Sequence, residues 1–211
     1  MKRFLVLTLA ALTVAALMPQ NVSASVGIKG GLNLANLSIK PMDPEMPDFM
    51  DLKGPVGGVF FTLNLGFVGI QPEILYSRRG LMWEFEWDID QMASIKYMLD
   101  YIEVPVLLKF NVLPAGPVRP VVFGGPSFGY LLKATGRFQS PEGTETEDIK
   151  DMFEKTAIGG VIGAGLEFKT PFALLTLDGR YHIGISNIMA DAVEGETAKH
   201  KGFSVMVGIG F

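Results

Sequence analysis

From Phe203 to Phe211 the chain places a large apolar residue at every odd position and a small, polar or Met residue at every even one. Successive side chains of a strand leave on opposite faces, so this run predicts a β-strand with one apolar face. The same period recurs upstream. Val26, Ile28, Leu32 and Leu34 oppose Lys29, Gly31 and Asn33, and Val59, Phe61, Leu63 and Leu65 oppose Gly58, Thr62 and Asn64. Ile70, Pro72, Ile74 and Tyr76 oppose Gln71, Glu73, Ser77 and Arg79. Ile102, Val104, Val106, Leu108 and Phe110 oppose Tyr101, Glu103 and Lys109. In 118–134 glycines blur the pattern, yet Val122, Phe128, Tyr130 and Leu132 share a face opposite Ser127, Gly129 and Lys133. Two further stretches, from Thr156 and from Phe172, set Ile162, Leu166, Leu177 and Tyr181 against Gly163, Glu167, Asp178, Arg180 and His182. The pattern predicts an all-β chain of eight strands, most of them longer than the ~5–6 residues usual in globular sheets.

Residues 1–24 read differently. Lys2 and Arg3 precede an almost wholly apolar run from Phe4 to Leu17, Pro19 breaks it, and Val22-Ser23-Ala24 offers small residues before Ser25. This is the pattern of a cleavable secretory leader. Its apolar core is shorter than the ~20 residues a spanning helix requires. The expected domains are therefore a signal peptide, 1–24, and a single β-domain, 25–211.

The connections predicted at 39–53, 82–96, 136–155 and 189–200 are long and polar, whereas 66–69, 113–117 and 169–171 are short. An even number of strands with short turns at one end and long loops at the other is the arrangement of an outer-membrane barrel. Both termini fall at the short-turn end, which sends the long loops outward. Phe67, Phe110, Phe168, Phe172 and Phe211 cluster at that same end, and Tyr76, Trp83, Trp87 and Tyr97 lie near the opposite rim.

Composition decides which face is inside. Hydrophobic residues make up 48% and charged ones 19%, below the ~25% charged residues of ordinary soluble domains. The face bearing Lys29, Glu73, Arg79, Glu103, Lys109, Glu167, Asp178 and Arg180 holds charges of both signs and many of the 25 glycines. An interior of eight strands is just wide enough for its own side chains, so the bulky Ile, Val, Leu and Phe face is expected to meet lipid. Those eight charged residues are then expected to pair in the lumen, because an unpaired buried charge costs several kcal/mol. The reading is an eight-stranded antiparallel up-and-down transmembrane β-barrel with a polar, plugged lumen.

As a set, several segments resemble the PorT-like porin family of outer-membrane β-barrel domains from diderm bacteria. They are Gly27-Ile28-Lys29-Gly30-Gly31-Leu32-Asn33, Tyr101–Phe110 with Glu103-Val104-Pro105 at its centre, Gly124–Leu132, Gly163–Phe168 and Asp178-Gly179-Arg180-Tyr181. The resemblance covers the whole mature chain. It implies a bacterial outer-membrane location and barrel architecture and supplies no activity. The terminal Phe211 resembles the signal by which such barrels are handed to the barrel-insertion machinery.

Other chemistries find little support. With 18 Lys+Arg against 22 Asp+Glu, a nucleic-acid partner is not expected. Cys is 0 and His is 2, which removes thiolate sites and leaves no zinc-like spacing. His182 faces inward beside Arg180 and Ser186, but Ser186 lies about 13 Å along an extended strand, beyond hydrogen-bond reach. His200 is expected in the last long loop. The acidic stretch from Pro141 to Glu154 lacks a spaced calcium-loop pattern and reads as a solvated loop with a short helix carrying Ile149, Met152 and Phe153. Trp83–Asp90, alternating aromatic and acid, reads as a hairpin prolonged above the bilayer, with a ligand-gripping surface as the alternative.

No catalytic, cofactor or metal residue is therefore expected. The predicted function is a monomeric, non-enzymatic outer-membrane barrel, in contact with outer-membrane lipid, with a structural or surface-interaction role through long acidic extracellular loops. The competing reading is a channel for small solutes. A soluble lumen-binding carrier and a lipid-modifying enzyme stand further behind.

Overall fold

The computed structural model describes residues 22–40, 50–88, 91–113, 116–190 and 196–211. Its strands are β1 (Val22–Lys40), β2 (Met50–Leu65), β3 (Val68–Asp88), β4 (Gln91–Asn111), β5 (Val118–Ser140), β6 (Gly143–Asp148), β7 (Thr156–Lys169), β8 (Leu174–Gly184) and β9 (Thr197–Gly210). Each of the eight strands other than β6 pairs antiparallel with two neighbours, in the order β4-β3-β2-β1-β9-β8-β7-β5, and β4 pairs with β5 to close the ring. β6 pairs only with the upper part of β5. Closure leaves no edge strand within the ring, so its ladders run from strand to strand within the wall, as hydrocarbon surroundings require. The seam is completed by the last residue: the Phe211 amide donates to Val26 O at 2.9 Å, and the Val26 amide donates to Phe211 O at 3.0 Å.

The short turns follow from local chemistry. Between β2 and β3 only Gly66 and Phe67 intervene, and Gly66 adopts φ 75°, a conformation a two-residue hairpin needs and glycine supplies without strain. Between β7 and β8 the Thr170 hydroxyl accepts the Ala173 amide at 2.9 Å.

Period two sets the two faces. Val205 and Val207 are 46% and 61% exposed, while Ser204 and Met206, which alternate with them, are buried. Ile28, Leu32, Val59, Ile74, Val106, Leu108, Val122, Ile162 and Leu177 are likewise exposed on the outside. The outward apolar stretch of β4, from Ile102 to Phe110, matches the ~9–11 residues a tilted strand needs to cross a bilayer. The chain is thus a transmembrane barrel with its oily face outward.

The walls rise further than the sequence pattern suggests. The long connection at 82–96 is the prolonged hairpin read from Trp83–Asp90, with β3 and β4 paired up to Asp88↔Gln91. Trp83 packs edge-on to Tyr97 at 5.5 Å; the side chain of Trp87 lies outside the described residues. The segment expected as a loop at 136–155 is the upper part of β5, then β6 and a 3₁₀ turn, Lys150–Met152. Ile149 and Phe153 of that segment are buried, whereas Met152 is exposed. The expected loop around Pro41, Met42, Pro44, Met46 and Pro47 lies outside the described residues.

Sidedness reverses in these upper walls. After Leu34, Tyr76, Ile102, Leu132 and Phe203, the next outward places belong to Asn36, Arg78, Asp100, Lys133 and Lys201. Inward, Leu37, Leu81, Leu99, Leu131, Ala134 and Ala198 form an apolar cluster with Ile149, Phe153 and Ile188. Here water replaces hydrocarbon outside the wall, and the barrel adopts the apolar-in order of a soluble protein. A register shift contributes: Asp100 pairs with Lys133 but Tyr101 with Leu131, so Leu132 is an extra residue. This bulge turns Lys133 outward, contrary to the inward place that simple alternation gives it.

Candidate functional site

Each inward charge is placed by strand parity, and ring closure decides what it meets. Counted round the ring, β3 and β8 stand four places apart in either direction, on opposite walls. Glu73 of β3 and Arg180 of β8 nevertheless join through two bonds: Nη1 to Oε2 at 2.6 Å and Nη2 to Oε1 at 2.9 Å. Lys29 of β1 donates to Glu73 at 2.8 Å and to Asp178 at 2.9 Å, and Arg180 also donates to Asp178 at 2.8 Å. Two carboxylates and two cations thus share one buried cluster.

Gln71 extends it toward the short-turn end. Its amide donates to Glu73 at 2.5 Å, and its carbonyl accepts Lys109 at 2.9 Å and the Thr62 hydroxyl at 2.7 Å. Lys109 pairs in turn with Glu167. Arg119 of β5 stands 3.1 Å from the second Glu167 oxygen; it is missing from the sequence reading because Pro117 and Pro120 obscure the alternation there. On the other side, Arg79 forks onto Glu103 through Nε at 2.5 Å and Nη2 at 2.6 Å.

The inward face also carries bulk that the sequence reading leaves out. Phe60 places its ring 4.7 Å from Lys29 Nζ, and Phe123 lies 5.2 Å from the Arg180 guanidinium. Leu75, Leu107, Val121, Val161 and Met206 are also buried inside. Their parity marks them as inward, but the nearby charges dominated the pattern. The inward face carries ion pairs and buried apolar side chains together.

Both histidines are inside the wall. His200 belongs to β9 rather than to a loop, and its Nε2 meets the Tyr101 hydroxyl at 3.1 Å, again between opposite strands. His182 Nδ1 lies 2.8 Å from Arg79 Nη2, and its Nε2 lies 3.0 Å from the Ser204 hydroxyl. A guanidinium offers only donors, so Nδ1 is the acceptor and the neutral ring carries its proton on Nε2. His182 therefore donates to Ser204, the reverse of what activating that hydroxyl requires. Ser186 is elsewhere: its hydroxyl accepts the Ile158 amide at 2.8 Å. A cavity of about 20 Å³ beside His182, Tyr101 and Ser127 has room for about one water molecule. Among the described residues, no group of three or more His, Cys, Asp or Glu side chains converges as a metal site would require.

A closed antiparallel ring, apolar outside and charged within, defines an outer-membrane β-barrel protein. The chain belongs to the outer membrane protein beta-barrel domain family, whose pattern matches residues 19–190. It is located in the bacterial outer membrane. Solved structures with a similar fold include OprG from Pseudomonas aeruginosa, 14% identical over 89% of this chain and 95% of that one, TM-score 0.48. Neisserial surface protein A is 13% identical over 91% of this chain and 100% of its own, TM-score 0.46. Ail, the attachment invasion locus protein of Yersinia pestis, is 14% identical over 90% and 99%, TM-score 0.41. No curated protein matches the chain.

Proposed function

We propose that this protein is a closed, non-catalytic barrel that acts through its outer surface and does not conduct solutes. The bond between Glu73 and Arg180 carries the reading. Side chains from opposite walls meet there at hydrogen-bond distance, at the level where a passage would have to run. The apolar cluster of Leu81, Leu99 and Leu131 adds a second layer above it. The donor role of His182 toward Ser204 supports the absence of hydrolytic chemistry.

The surface role falls to the long-loop end. Glu84, Glu86, Glu142, Glu145, Glu147 and Asp151 are all exposed there, an acidic crown suited to cationic partners. Removal of residues 1–24, delivery through the terminal Phe211 and function as a monomer complete the proposal. The narrower PorT-like grouping rests on the Glu103-Val104-Pro105 segment.

Single-channel recording of the purified barrel in a planar bilayer tests this reading. The expected result is a bilayer that carries folded protein without stepwise current. A reproducible open state would overturn it and favour a small-solute channel.

A further inference from the structure

On one side the upper parts of β3, β4 and β5 continue as a raised wall, and β6, which stands outside the ring, widens it. Trp83, Ile95, Phe138 and Glu145 form one cross-strand row of this wall, and Leu81, Tyr97, Gly136 and Glu147 form another. Directly paired residues share a face, and buried Leu81 marks this face as the inner one. Glu145 and Glu147 therefore stand on the same side as the aromatic rings. A groove of about 750 Å³ lies there, floored by Ile95, Tyr97, Phe138 and Ile149 and bordered by both glutamates. Gly136 keeps the floor low, since a Cβ on it would meet Ile149 Cγ2 at 3.3 Å and Tyr97 Cε1 at 3.5 Å. Both glutamates are exposed, and among the described residues neither lies in an ion pair. The neighbouring cations are placed elsewhere. Lys150 donates to Leu132 O at 2.8 Å, and Arg137, paired with Lys96 and Thr146 in the row between, falls on the outer face by strand parity.

We propose that this groove binds small organic cations that carry an aromatic body. Its volume falls within the ~300–1,000 Å³ usual for small-molecule sites. The rings of Tyr97 and Phe138 attract a cation through their quadrupoles. Ile95 and Ile149 offer an aliphatic surface to the apolar body, and Glu145 and Glu147 supply the counter-charge. The same two carboxylates repel an anion and contribute nothing to a neutral molecule. The alternation of aromatic and acid that begins at Trp83 supports the floor from the β3 side. Trp83 packs edge-on to Tyr97 at 5.5 Å, and Phe85 stacks on Phe138 at 6.4 Å, so both floor rings are held in place. This inference rests on the surface role proposed for the long-loop end, for which it names a ligand class, and is independent of whether the lumen conducts.

The test titrates the full barrel, in non-ionic detergent near pH 8, with 1-benzylpyridinium, an aromatic cation that quenches indole emission. Trp83 and Trp87, the two tryptophans of the chain, both belong to upper β3, so quenching reports this wall. Wild type is expected to show saturable quenching, and the uncharged 4-benzylpyridine should displace the probe only at roughly tenfold higher concentration. Glu145→Gln and Glu147→Gln combined are expected to weaken binding roughly tenfold, from about threefold per exposed carboxylate. Glu84→Gln with Glu142→Gln removes the same charge from the crown outside the groove and should leave binding unchanged. Absence of saturable quenching, equal displacement by the uncharged compound, or undiminished binding by the Glu145 and Glu147 variant would overturn the proposal. So would equal weakening by the Glu84 and Glu142 variant, since the crown would then attract cations as a whole and the surface role would stand without this groove.

Discussion

Glu73 and Arg180 begin on opposite walls of the barrel and end 2.6 Å apart, with neither side chain exposed to solvent. The pair closes the distance across the lumen and ties β3 to β8, strands that share no ladder. Glu73 also accepts Lys29 and Gln71, so it is the acceptor on which three donors depend.

Glu73→Gln should therefore be strongly destabilising. It leaves Lys29 and Arg180 buried with Asp178 as their one remaining carboxylate, and breaking a buried pair typically costs about 3–5 kcal/mol. Urea unfolding in detergent, followed by tryptophan fluorescence, checks this. A change below about 1 kcal/mol would show that the cluster is not held as described.

Val207→Arg tests the sidedness of the wall. Val207 is 61% exposed on the belt, and an arginine facing lipid near the bilayer midplane costs about 2–4 kcal/mol. The loss is expected in phospholipid vesicles and should shrink in water-soluble surroundings such as urea-containing detergent. Equal tolerance in both would place Val207 away from hydrocarbon.

Gly58→Ala probes the tightness of the ring. A Cβ at this inward position would meet Ile74 O of the neighbouring strand at 1.9 Å, a clash the backbone must move to relieve. Overpacking of this kind costs about 1–3 kcal/mol or more. The expected readout is a smaller fraction of the heat-modifiable band after refolding, whereas Gly143→Ala, where a Cβ meets nothing within 4 Å, should keep the band despite its φ of 159°.

Asp100→Asn addresses pH at the outer boundary, beyond the apolar belt. Burial pushes the Asp100 carboxyl up, but hydrogen bonds from Arg78 and Tyr76 outweigh it and hold the group below the usual carboxylate range. A depressed carboxylate stabilises the fold above the unfolded value of about 3.9 and loses that contribution as pH falls through the folded one. With Arg78 about a third exposed, the effect is about 1 kcal/mol at neutral pH. Thermal melts should show the variant less stable than wild type at pH 7 and indistinguishable from it near pH 2.

The alternation of residues such as Val205, Met206 and Val207 was enough to define strand, face and the outward apolar belt, because period two is a local property of extended backbone. The short turns and the clustering of Phe at one end were equally legible. Where a strand stops was less so. The upper part of β5 and β6 look polar because their outer face meets water, and polarity by itself does not separate a loop from a solvated wall.

What the chain carried in its order of residues was thus its faces, its eight-fold count and its membrane setting. What tertiary structure decided was who meets whom. Glu73 is 107 residues from Arg180, and only closure of a ring of fixed order puts their strands opposite each other. One extra residue at Leu132 sends Lys133 outside, and the height of β9 brings His200 to Tyr101. Facing is inherited from the nearest neighbours along the backbone, whereas partnership depends on register and curvature summed around the whole barrel.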